Sequence, residues 1–129
     1  MITEVSIRRH VAVFIAITSL RELTPLVIWL AFGTAPQTVE QSVSIASGVL
    51  LLALAAALWS GRAIRPALLA SAPVAVIATA LSYRVALAER GIAVASRQAL
   101  PMWVGFAVFV VIAAYAAWWM WRQAPRAAP

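Results

Sequence analysis

Side chains able to do acid–base or ionic chemistry are scarce in this chain, which has 4 acidic residues, 10 basic residues and one histidine among 129. Two of them, Arg21 and Glu22, stand side by side within the apolar run "IAITSLRELTPLVIW". An ionised group inside hydrocarbon costs about 2.5–3.5 kcal/mol on insertion scales, so the pair is expected to face protein or water rather than lipid. Successive residues on a helix point about 100° apart, which prevents a good salt bridge between the two. Each therefore needs a partner elsewhere. Thr18, Ser19 and Thr24 lie within a turn, and Pro25 removes the amide that would bond the Arg21 carbonyl, so "TSLRELTP" reads as a polar, loosened stretch of helix. Ser44 and Ser47 in the second apolar run, and Thr79, Tyr83 and Arg84 in the third, are candidate partners. Three roles follow for the pair. It anchors the first helix to other helices or subunits, it lines a proton or ion path, or it reaches the cytoplasmic interface because the helix starts late or tilts.

Other chemistries are poorly provided for. The chain has no cysteine, so thiol nucleophiles, disulfides and thiolate metal sites are excluded. It also has neither lysine nor aspartate, which removes lysine Schiff bases and aspartate-based schemes. Haem held between helices takes two histidines, or histidine and methionine, at similar depth. His10 is the only histidine, and Met120, the one methionine on its side, falls among tryptophans. Beside Arg8 and Arg9, His10 reads as an interfacial residue rather than a haem or pigment ligand. No metal cluster, nucleophile–base set or glycine-rich phosphate loop is present in the sequence. Neither a cofactor nor enzymatic activity is expected.

The elements that must position Arg21 and Glu22 are set by composition. With 64% hydrophobic residues, 11% charged residues and a mean hydropathy of +0.94, the chain has too few charges to cover a soluble domain of its size. Four apolar runs, 10–33, 42–60, 66–87 and 101–121, each approach the ~20 residues that cross a bilayer as a helix. They are continuous rather than alternating, which favours helices over barrel strands. The expectation is one all-α transmembrane domain over residues 1–129, a four-helix bundle followed by the tail 122–129. Arg8–Arg9 and the apolar stretch after them resemble a signal peptide, but no small-residue cleavage site follows, and a retained helix is expected.

Arginine placement orients that bundle. Arg8, Arg9, Arg62, Arg65, Arg122 and Arg126 fall on one side of four alternating helices, against Arg90 and Arg97 on the other, which predicts both termini in the cytoplasm. Arg84, late in the third helix, is expected to snorkel outward. Trp59, Trp118, Trp119 and Trp121 are expected as anchors at the inner interface and Trp103 at the outer one. Ser44, Gly48 and Leu52, four apart, offer a face for close helix contact, and Pro73 is a candidate kink. The 88–100 segment is the one long connection, either a solvated connector or a short amphipathic turn on the membrane surface.

The net charge of +6 does not point to nucleic acid, because the arginines are scattered rather than gathered into a stripe with interleaved aromatics. Charges within the first helix, an arginine late in the third and a basic tail resemble the layout of the PsiE family of four-helix phosphate-starvation proteins. The resemblance is one of layout, without a shared motif, and implies no function for this chain. A glutamate in the first of four helices is similar to small multidrug transporters, whose aromatic-rich second and third helices this chain lacks. The expected function is that of a non-catalytic accessory or assembly subunit in a respiratory or photosynthetic type of complex of a bacterial inner membrane. Its partners would be lipid and other membrane subunits, or further copies of itself. A small homo-oligomeric transporter or channel using Glu22 and Arg21 is the alternative.

Overall fold

In hydrocarbon, backbone amides and carbonyls must be satisfied within their own segment, and all the apolar runs are accordingly α-helical in the computed structural model. It describes residues 3–127, with side chains through Ala124. The helices are α1 (Glu4–Glu22), α2 (Thr24–Phe32), α3 (Val39–Ser60), α4 (Ile64–Glu89) and α5 (Leu100–Ala127), with one 3-10 turn at Arg97–Ala99 and no strand among the described residues. α3, α4 and α5 are each long and apolar enough to cross a membrane, and α1 with α2 qualifies as a fourth span if the bent pair is counted as one.

Capping explains why the helices outrun the apolar stretches. The Thr3 hydroxyl accepts from the Ser6 amide at 3.0 Å, starting α1 six residues before the predicted 10. Thr38 does the same for α3, accepting from the Gln41 amide at 3.2 Å. α3 ends at Gly61, whose φ of 77° is open to glycine and whose amide returns to the Ala57 carbonyl at 2.8 Å. α4 continues unbroken through Pro73. α5 runs on to Ala127, through part of the predicted tail; residues 128–129 and the Arg126 side chain lie outside the described set.

The predicted first helix is two. α1 and α2 meet at Leu23 with a 53° bend. Pro25 has no amide to give Arg21, and the Thr24 hydroxyl takes over that carbonyl at 2.8 Å. Leu23 itself bonds Ser19 at 3.0 Å and receives Val27 at 3.0 Å, so the polar stretch turns the chain without orphaning backbone.

Packing is serial: α1 lies on α3, α3 on α4 and α4 on α5. Neighbours run antiparallel, since Arg9 at the start of α1 meets Trp59 at the end of α3, and Arg65 at the start of α4 meets Trp121 late in α5. The α1–α3 contact is close because Gly48 has no side chain: a Cβ there would stand 2.6 Å from Leu23 Cγ and 3.1 Å from the Ser19 carbonyl oxygen. Ser44 and Gly48 of the predicted small-residue face thus meet the end of α1, whereas Leu52 is exposed. All four long helices contribute to one buried cluster, Ala12, Leu54, Ala57, Leu58, Ile64, Leu68 and Met120. This cluster sits near the arginine–tryptophan end. Leu54, Leu68 and Met120 of this cluster also border a lateral cleft of about 1110 Å³, flanked by α1 and α5 and floored by α3 and α4.

Candidate functional site: the Arg21–Glu22 corner and the cleft

The structure brings one of the predicted partners to the charged pair. Ser44 donates to the Glu22 carboxylate at 3.0 Å and lies 2.7 Å from its backbone carbonyl oxygen, tying the end of α1 to α3. Glu22 is half-buried there, whereas the Arg21 side chain is open and has no hydrogen bond or ion pair among the described residues. The two charges do not pair with each other, as their angular separation on the helix requires.

The remaining hydroxyls behave differently. Thr18, Ser19 and Thr24 turn back to carbonyls of their own helix, those of Phe14 (3.0 Å), Ala16 (2.6 Å) and Arg21 (2.8 Å). Thr79 does likewise with Ala75 at 2.9 Å. Such local bonds cost no tertiary ordering and outcompete longer reaches. Tyr83 instead packs edge-on to Phe106, with centroids 5.7 Å apart. Arg84 is exposed, five residues from the end of α4. Ser47 is 1% exposed, borders the cleft, and leaves its hydroxyl as the one buried side-chain polar atom without a partner among the described residues. Arg21, Glu22, Thr18, Thr79 and Tyr83 also border that cleft, whose walls are otherwise mostly apolar.

Depth also changes. The apolar run was expected to begin at residue 10, but α1 starts at Glu4, which places the pair at the end of a 19-residue helix. Ser44, level with Glu22, is only five residues from the start of α3, roughly 7–8 Å at 1.5 Å per residue. The pair thus lies toward the end of the molecule remote from Arg8, Arg9 and the stacked arginine–tryptophan pairs.

Tryptophan and arginine placement carries a feature that the sequence only half reveals. Arg9, Arg65 and Arg122 lie over the rings of Trp59, Trp121 and Trp118, at 4.8, 4.7 and 4.8 Å from the centroids. Trp119 packs against the buried cluster instead. At the far end Trp103 donates its indole N–H to the Val94 carbonyl at 2.9 Å, closing the 88–100 connection onto α5. Arg8, expected as a topology signal, is 8% exposed and donates through Nε to the Leu58 carbonyl at 2.7 Å. The C-terminal carbonyls of α3 lack helical donors, and a cation there meets the negative end of the helix. Nothing in "IRRH" distinguishes this arginine from Arg9; a heptad placing Arg8 on the face of Ala12 and Ser19, both buried, is the only available signal.

His10 is exposed, with Nδ1 2.6 Å from the Ser6 carbonyl oxygen of its own helix. Met120 is in the buried cluster and Met102 lies against Arg90. No group of three or more potential metal-ligating His, Cys, Asp or Glu side chains exists among the described residues.

The chain matches no protein-family model, no curated protein and no solved structure, so its likeness in layout to the PsiE family does not become a family assignment.

Proposed function

We propose that this chain is a small, non-catalytic protein of a bacterial inner membrane, with four spans and both termini in the cytoplasm, that serves as an accessory or assembly subunit. Its Arg21–Glu22 corner is the assembly site, where the chain meets another membrane-embedded protein. The observation that carries this reading is the Arg21 side chain, exposed at the bend between α1 and α2 and without a hydrogen bond or ion pair among the described residues. Lipid tails give a guanidinium nothing to bond, while a carboxylate or carbonyl on a neighbouring helix satisfies it. The cleft beside it leaves α1 and α5 uncovered by one another over much of their length, in keeping with a surface completed by other protein.

Gentle detergent extraction of native membranes followed by mass measurement of what co-migrates tests the proposal. The expected result is a species heavier than the chain alone, from which Arg21→Leu is released. A chain that migrates alone, with or without Arg21, overturns it. A transport role is the second reading, favoured by Glu22 bordering the cleft with a single hydroxyl for company. In that case Glu22→Gln abolishes ion flux in reconstituted vesicles while assembly survives.

A further inference from the structure

Arg21 and Glu22 are complementary to their own copies. We propose that the chain pairs with a second copy of itself about a two-fold axis along the membrane normal, with Arg21 of each protomer meeting the partner's Glu22. This rests on the assembly role of the corner and names the chain met there.

Symmetry supplies the first argument. An axis along the membrane normal keeps every residue at its depth, so a charge within one span can be met only by groups at the same level on the other. A lone charge would face its like and be repelled. Two adjacent opposite charges face their opposites twice, making a contact that is self-complementary, as a two-fold interface requires. The same adjacency prevents pairing within one chain, because the side chains diverge by about 100°.

The surroundings fit. Glu22 is steered by Ser44 at 3.0 Å, which leaves the carboxylate capacity to accept further bonds. Arg21 remains open, with five donors to place. Phe14 and Ile17 share its helix stripe and are 70% and 62% exposed, so the apolar surface flanking the charge is uncovered by its own chain. Phe14 and Arg21 also border the cleft, so a second α1 laid along this stripe covers its mouth.

The absence of native cysteine makes the test clean. Full-length Ile17→Cys protein in its membrane is oxidised and the disulfide-linked dimer is measured. The expected yield is at least about tenfold above that of Val111→Cys, which is 68% exposed on α5 and outside the cleft. In the Ile17→Cys background, Arg21→Glu and Glu22→Arg each reduce the yield about tenfold. The double exchange, Arg21→Glu with Glu22→Arg in one chain, restores it, as does co-expression of the two single variants. Restoration shows that the single variants failed through charge and not through insertion. Crosslinking that ignores these exchanges, or a double exchange that fails to restore it, overturns the proposal. A chain that stays uncrosslinked yet co-migrates with a different membrane protein overturns the pairing and leaves the accessory-subunit reading standing. A chain that is single by both measurements removes both.

Discussion

Arg8 is the residue whose role changes most between sequence and structure. Among the arginines whose side chains are described it is the one that is buried, and its Nε–H joins the start of α1 to the Leu58 carbonyl at the end of α3. A hydrogen bond involving a charged group contributes about 1.5–3 kcal/mol, and the carbonyl that loses its donor remains buried. Arg8→Leu is therefore expected to lower unfolding stability in detergent by about 2 kcal/mol. The stacked arginines give a built-in control: Arg9→Leu, exposed at Trp59, should cost no more than about 1 kcal/mol. Equal losses at both positions would show that the Leu58 contact contributes nothing of its own.

At the scale of elements, the break at Leu23 sets the site. Pro25 creates it, Thr24 satisfies the carbonyl that Pro25 frees, and the bend of 53° starts a new helix directly after Glu22. Pro25→Ala restores the missing donor and lets the two helices become continuous. Spin labels at Val13 and Phe32 should then move apart by about 3 Å, the difference between a straight and a bent path at 1.5 Å per residue. An unchanged distance would assign the bend to the contact of Leu23 with Gly48 rather than to the proline. The loosening at "TSLRELTP" was legible in the sequence, because proline chemistry is local. The bend angle was not, because it depends on what α2 packs against.

For the whole molecule, the arginine–tryptophan pairs define one end. Arg8, Arg9, Arg62, Arg65 and Arg122 gather there with Glu4, whereas Glu40, Glu89, Arg84, Arg90 and Arg97 belong to the other. With the chain free of cysteine, Arg62→Cys and Gln37→Cys each report one side to a membrane-impermeant thiol reagent. The expected outcome in intact cells is labelling of position 37 and protection of position 62 until the membrane is opened. The reverse pattern would invert the orientation, and labelling of both positions on a single side would remove the alternating path of the helices.

Composition, cysteine content and the length of the apolar runs determined by themselves that the chain is helical, suited to lipid and without thiol chemistry. Each of these follows from the cost of exposing backbone or apolar surface, which sums residue by residue. The sequence also marked Arg21 and Glu22, since a charge within a span must find a partner, but left Ser44 as one of five candidates. Only the tertiary structure decided that Thr18, Ser19 and Thr79 would bond their own helices, that Arg8 would be buried, and that the helices would pack in series around a cleft. These outcomes depend on which groups converge from distant positions in the chain, and no local pattern records that convergence.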